Sequence, residues 1–283
     1  MIKEYIQLLR VPQWYKNLVV FLALFFSGNI MNISLLSATL GALLSLVLVS
    51  SANYIINDLA DARKDKLHPE KKSRPIASGK IAISTAVVLA LLLATAGIVL
   101  AYRLDLFFLY AVLGMIILTQ LYTFFLKQVV FADILAIATL FVLRAVAGAL
   151  VIHVSISPWL VLCPFFLSLF LSIGKRHGEL HLLQQKASLT RKVLQEYSQK
   201  LTDSLMIIST TLLVISYALY SFLSEQAQLL YTLPFALFVM FRFYYLISTG
   251  SIIARYPEKV LWDLPMAVGM ILWMVVTALV IYW

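Results

Sequence analysis

The sequence predicts an all-α integral membrane protein, a bundle of nine transmembrane helices, and three observations lead there. Of its 283 residues 62% are hydrophobic and only 12% charged, with a mean hydropathy of +0.95. Soluble domains carry about 45–50% apolar and about 25% charged residues. Nine apolar runs approach the roughly 20 residues that a helix needs to cross a bilayer. When those runs are threaded in order, 19 of the 22 basic residues fall on one side of the membrane.

The runs lie near residues 17–32, 36–57, 82–102, 106–125, 131–152, 157–174, 202–223, 229–248 and 264–282. No Gly/Ser linker or domain-sized polar insert separates them, so residues 1–283 are expected to form a single transmembrane domain. With a cytosolic N-terminus, the inside segments hold Lys3, Arg10 and Lys16; Arg63, Lys64, Lys66, Lys71, Lys72, Arg74 and Lys80; Lys127; Lys175, Arg176, Lys186, Arg191, Lys192 and Lys200; and Arg255 and Lys259. Arg103 falls outside, while Arg144 and Arg242 fall within spans. Lys and Arg in short loops set orientation, so the N-terminus is expected inside and the C-terminus outside, in a plasma (inner) membrane. Two long basic inside segments, roughly 58–81 and 175–201, are expected to be the loops where soluble chemistry belongs.

The net charge of +9 follows from that topology, and it also favours anionic head groups and phosphorylated substrates. No basic stripe with interleaved aromatics forms away from the membrane, so no nucleic-acid partner is expected. One cysteine, Cys163, excludes an intrachain disulfide and a cysteine metal cluster. The opening Met1-Ile2-Lys3-Glu4-Tyr5 lacks a signal-peptide pattern, so no cleavage is expected.

The second run leads into Asn57-Asp58-Leu59-Ala60-Asp61-Ala62-Arg63-Lys64-Asp65. On a helix, Asp61 lies about 60° and Asp65 about 20° from Asp58. Three carboxylates on one face repel one another unless a cation sits among them. Mg2+ suits the place, because it takes hard oxygens from one or two carboxylates and completes its shell with phosphate oxygens. The plain alternative is a solvated helix end. Lys71, Lys72 and Arg74 follow and suit phosphate oxygens, Arg in bidentate fashion, although the topology alone also accounts for them.

Arg144 lies about 20 Å into the fifth run at about 1.5 Å per residue. An ionised group at that depth is expensive and marks a functional candidate. Asp133 falls about 20° from it around the helix. Structural Arg–Asp pairing is the competing account for Arg144 and Arg242, and Asp263 suits a helix cap. Gly174-Lys175-Arg176-His177-Gly178-Glu179 opens the second basic segment and suits a further phosphate or a shared metal. His177 and His181 have helical metal-ligand spacing, but no further ligands support zinc.

Together these residues resemble the UbiA-type membrane prenyltransferase superfamily, and within it the decaprenyl-phosphate phosphoribosyltransferase branch. The superfamily pattern N-D-x-x-D-x-x-x-D matches Asn57, Asp58, Asp61 and Asp65. Branch-like features are Arg10-Val11-Pro12-Gln13-Trp14-Tyr15-Lys16-Asn17; His68-Pro69 with Lys71-Lys72-Ser73-Arg74-Pro75-Ile76-Ala77-Ser78-Gly79; and Tyr122 with Lys127 and Asp133. Leu143-Arg144-Ala145, Gly174-Lys175-Arg176 with Glu179, and Ser216-Tyr217-Ala218-Leu219-Tyr220 complete them.

The resemblance implies a nine-helix bundle around a central cavity facing the cytosol and open laterally to lipid. It implies Mg2+ at Asn57, Asp58, Asp61 and Asp65, with the three aspartates catalytic. Lys16, Asn17, Lys71, Lys72, Arg74, Tyr122, Lys127, Asp133, Arg144, Lys175, Arg176 and Glu179 then bind substrate. In this branch phosphoribosyl diphosphate is the donor and a long polyprenyl phosphate the acceptor, for cell-envelope biosynthesis. Typical prenyltransferases carry a second aspartate set after the sixth span, where this chain has Lys175, Arg176 and Glu179. That departure favours sugar transfer over prenyl transfer to an aromatic acceptor, the nearest alternative. A non-enzymatic lipid or solute transporter is the alternative from another class, kept open by Arg144. Whether the enzyme is a homo-oligomer stays open.

Overall fold

Helices make up every regular element among the residues that the computed structural model describes, which are 2–67, 71–183, 192–224 and 226–283. His68, Pro69, Glu70, Lys186 and Arg191 lie outside that set, as do the side chains of His181 and Lys192. Eleven α-helices follow in order: α1 (Ile2–Leu8), α2 (Phe21–Phe26), α3 (Ile33–Leu67), α4 (Ile83–Leu104), α5 (Leu106–Phe124), α6 (Ala132–Val151), α7 (Pro158–Leu183), α8 (Gln199–Leu223), α9 (Leu233–Ser248), α10 (Ile252–Arg255) and α11 (Leu264–Tyr282).

Among the described residues, eight helical stretches are long and apolar enough to cross a membrane, and they match the second to ninth expected runs. The chain is a multi-pass membrane protein. Its outward apolar surface agrees: Val88, Leu91 and Leu92 of α4, Ile117 of α5, Phe241 of α9 and Ile271 of α11 are exposed. Such surface is a liability in water and is at home against lipid tails. The first expected run, 17–32, takes another form. Ten residues of 3-10 helix, Val11–Val20, with Pro12 in the first turn, lead into the six residues of α2.

Both expected basic loops begin as helix. α3 continues through the aspartate motif to Leu67, and α7 continues through Lys175, Arg176 and Glu179 to Leu183. Hydropathy ends a span where charges begin, whereas a helix ends where its backbone is broken. Between Asn57 and Leu67 there is no Pro or Gly to break it.

The chain divides into two compact units. The first holds α1–α5 and most of α6, and in it α3 packs along α4, α5 and the Val11–Val20 segment. Ser45 Oγ donates to Gly97 O at 2.8 Å where α3 and α4 touch. The second unit holds α7–α11 and Ile137–Val142 of α6; in it α7 packs on α8 and α10, and α9 on α11. The starts of α5, α8 and α11 are capped by short polar side chains, which satisfy orphan N–H groups. Asp105 accepts from Phe108 N at 2.8 Å, Ser198 from Leu201 N at 3.1 Å, and Asp263 from Met266 N at 2.9 Å.

Candidate active site at the end of α3

α3 carries Asn57, Asp58, Asp61 and Asp65 near its C-terminal end, all within the first unit. Asp58 and Asp65 are 3% and 5% exposed, so both carboxylates are withdrawn from water. A buried charge requires a partner. Arg74 Nη1 donates to Asp58 Oδ1 at 2.9 Å and to Asp65 Oδ2 at 2.7 Å. Arg10 Nη2 donates to the same Asp58 oxygen, and its guanidinium lies 4.9 Å from the Tyr54 ring centroid. Lys127 Nζ holds both oxygens of Asp61, at 2.7 and 2.9 Å. The helical angles account for the division. Asp58 and Asp65, almost in register, share one arginine, and Asp61, further round, meets the lysine.

A buried apolar cluster holds the two arginines in place. Leu8 of α1, Ile55 of α3, Ile76, Ile81, and Ala86 and Ala90 of α4 pack together. Leu8 lies two residues before Arg10 and Ile76 two residues after Arg74, so burying them fixes both approaches. Each such side chain is worth roughly 1.5–3 kcal/mol withdrawn from water.

Does Mg2+ fit these residues? Two carboxylate oxygens already converge on one cationic centre, the Arg74 Nη1 nitrogen. Among the described residues no three His, Cys, Asp or Glu side chains do so. Asp58 Oδ1 and Asp65 Oδ2, 2.9 and 2.7 Å from that nitrogen, fit an ion held by two carboxylates and completed by phosphate oxygens, the usual habit of Mg2+. Arg10, Arg74 and Lys127 are the cations at this place, each held by an aspartate. A concavity of about 390 Å3 lined by Glu4, Tyr5, Lys80, Ile81, Ala82 and Thr85 opens elsewhere in this unit, and none of the aspartates lines it.

The other expected residues scatter. Lys71 is half-buried and Lys72 exposed on the 3-10 turn just before Arg74. Lys16 is half-buried, its ammonium 6.0 Å from the Tyr15 ring, and Tyr122 is half-buried on α5. Deeper in the same unit, Arg144 Nε donates to Asn17 Oδ1 at 2.9 Å, and Ser50 Oγ donates to that oxygen at 3.1 Å. Asp133 is fully buried on α6. In the second unit Lys175 is exposed, while Arg176 is buried and donates from Nη1 to Glu179 Oε2 at 2.9 Å. His177 Nδ1 lies 3.0 Å from Thr202 Oγ1 and 3.3 Å from Asp203 Oδ1. Arg242 grips Asp263 with two bonds, Nε to Oδ1 at 3.0 Å and Nη2 to Oδ2 at 2.8 Å, so the structural account of that arginine holds.

Arg10 is the residue that sequence reasoning undervalued, counting it as a topological charge. Two signals pointed to it: it opens the branch-like motif that runs to Asn17, and three close acids demand counter-charges.

The model of the UbiA prenyltransferase family matches residues 17–179. The chain belongs to the UbiA prenyltransferase family. The matched stretch contains the aspartate motif and every expected site residue except Lys16. Over 232 residues the UbiA chain is 31% identical to the decaprenyl-phosphate phosphoribosyltransferase of Mycolicibacterium smegmatis, covering 81% of this chain and 73% of that protein. It is 27% identical over 221 residues to the decaprenyl-phosphate phosphoribosyltransferase of Mycobacterium tuberculosis, covering 77% and 73%. Its fold matches a UbiA homologue from Archaeoglobus fulgidus, solved bound to GPP and Mg2+, with a TM-score of 0.75 at 20% identity, over 96% of this chain and 99% of that one. Family and relatives together make the protein a membrane transferase of the UbiA type.

Proposed function

We propose that this UbiA transferase moves 5-phosphoribose from phosphoribosyl diphosphate to a polyprenyl phosphate of decaprenyl type, releasing diphosphate. The observation that carries the choice of donor is the similarity to proteins named decaprenyl-phosphate phosphoribosyltransferase across 81% of the chain. The sequence supports it too, with Lys175, Arg176 and Glu179 standing where typical prenyltransferases carry a second aspartate set.

Asp58 and Asp65, with Asp61 and Asn57 beside them, would hold Mg2+, whose charge when bound neutralises the departing diphosphate. Arg10, Arg74, Lys71 and Lys72 bind and orient the donor's phosphates. Lys127, with Tyr122 and Lys16, suits the acceptor's phosphate, and Asn17, Asp133 and Arg144 belong to the acceptor side in this reading. An acceptor phosphate oxygen forms a bond to the anomeric carbon. The bond from that carbon to the diphosphate oxygen breaks, and its electron pair leaves with diphosphate. The attacking oxygen is already anionic, so no side chain has to remove a proton. Positioning and charge stabilisation do the catalysis.

The Val11–Phe26 stretch serves as the ninth span in this reading. At about 2.0 Å per 3-10 residue and 1.5 Å per α residue it reaches about 29 Å, close to the hydrocarbon thickness of about 30 Å. The active site then faces the cytosol, where charged donor is available, and the acceptor enters from lipid.

The test is to supply membranes containing the protein with labelled phosphoribosyl diphosphate and polyprenyl phosphate and to analyse the lipids by mass spectrometry. Lipid-linked phosphoribose is expected, with Asp58→Asn lowering its formation by a factor on the order of 100 or more. Formation of a prenylated aromatic product from a prenyl diphosphate, with no phosphoribosyl lipid, would replace this reading with prenyl transfer.

A further inference from the structure

In the structure the motif's acids meet side-chain cations at the place where an ion would bind. Arg74 Nη1 bridges Asp58 and Asp65, and Arg10 Nη2 shares the Asp58 oxygen. A divalent ion binding those oxygens at about 2.0–2.1 Å cannot coexist with a guanidinium hydrogen-bonded between them. Loading the site is therefore an exchange of one cation for another. The side chains of Arg10 and Arg74 are 22% and 26% exposed against 3% for Asp58, so the arginines have room to turn outward while the acids stay put. Leu8 and Ile76, buried beside them, anchor their backbones through the change.

We propose that Arg74, assisted by Arg10, is an internal stand-in for the metal. In the ligand-free enzyme it ties Asp58 to Asp65, and on loading it moves from the carboxylates to the donor's diphosphate. The inference rests on the reading of this site as one for a divalent ion and a diphosphate, and deepens it. A divalent ion arriving alone must evict a guanidinium whose ion pairs, among the described residues, are with Asp58 and Asp65. A diphosphate arriving alone meets buried carboxylates. Arriving together, the ion takes the carboxylates and the freed guanidinium takes phosphate oxygens, a bidentate match. Ion and diphosphate thus bind with positive coupling, which linkage makes reciprocal. Lys127 stands apart from this exchange, because it holds Asp61 and leaves the bridged pair alone. The consequence has an unusual sign: removing a basic residue from the donor site strengthens binding of the ion by itself.

The experiment uses the full-length protein in detergent, Mn2+ as the probe, and inorganic diphosphate, with no sugar and no acceptor. Free Mn2+ is read by electron paramagnetic resonance against a protein-free blank at the same diphosphate concentration, since diphosphate itself chelates the ion. Wild type is expected to bind Mn2+ weakly alone and about fivefold or more tightly with diphosphate. Arg74→Gln is expected to bind Mn2+ alone more tightly, on the order of tenfold, and to lose most of the coupling. Arg74→Lys keeps the charge and loses the fork, so it should match wild type for Mn2+ alone and fall below it for coupling. Arg103→Gln, at the far end of α4, should match wild type in both. If Arg74→Gln binds Mn2+ alone no better than wild type, the stand-in role is overturned while the ion site survives. If wild type binds no Mn2+ even with diphosphate, the ion site itself falls, and the stand-in with it.

Discussion

At the residue scale, Arg10 joins two demands that substitutions can separate. Its backbone is left-handed, φ 52° and ψ 46°, immediately before the 3-10 segment. That conformation costs an L-residue about 1–2 kcal/mol. Its side chain reaches Asp58 on one side and the Tyr54 ring on the other. Glycine satisfies the backbone and abandons the side chain, whereas alanine satisfies neither. Arg10→Gly is therefore expected to be more stable than Arg10→Ala by roughly 1 kcal/mol in thermal unfolding in detergent. Both should lose donor affinity alike. Equal stability of the two variants would show that the turn carries no strain. The aspartates show how much of the site was legible from spacing. Helical angles put all three on one face around a shared cation, whereas the hydrogen bonds divide them, Asp58 and Asp65 to Arg74 and Asp61 to Lys127. No spacing named the partners, which lie 48, 16 and 66 residues away.

At the element scale, glycine decides how closely the Val11–Val20 segment meets α6. A β-carbon on Gly148 would stand 2.0 Å from the Val20 carbonyl oxygen, so no other residue fits without moving the backbone. Gly148 is one turn beyond Arg144 on α6, and Val20 is three residues beyond Asn17, so this contact sets the Arg144–Asn17 hydrogen bond. Gly148→Ala is expected to destabilise the protein by about 1–3 kcal/mol in detergent unfolding. Small residues at such crossings are the usual means of close packing in lipid.

The start of α11 yields a prediction in pH. Hydrogen bonding from Arg242 holds the Asp263 carboxyl below the usual carboxylate range. A group whose pKa is depressed on folding stabilises the fold above its unfolded value, about 3.9, and loses that contribution as pH falls through the folded value. Asp263→Asn keeps a good cap and removes the charge. The Tm of wild type is thus expected to exceed that of Asp263→Asn by a constant margin from about pH 7 to pH 5, closing below about pH 4. A margin unchanged at pH 3 would show that the carboxylate's charge is not its source.

At the scale of the whole molecule, the distribution of basic residues makes a claim about topology that the fold leaves to experiment. In a chain with Cys163→Ser, a cysteine at exposed Lys72 should escape a membrane-impermeant maleimide in intact cells and react after permeabilisation. A cysteine at exposed Ser155 should react in intact cells. The reverse pattern would invert the membrane orientation and place the aspartate site outside.

Partition into lipid and angle around a helix are local properties, and the sequence alone determined what depends on them. It specified an all-helical membrane protein, eight of its spanning helices, six of them to within several residues at both ends, and the family. Tertiary structure decided the rest: that the first apolar run folds as 3-10 helix, that α3 and α7 outrun their apolar stretches, and that arginines share the paired acids. These features arise where chain segments far apart in sequence touch. The packing of Leu8, Ile55 and Ile76, and the missing side chain of Gly148, help to bring those segments together.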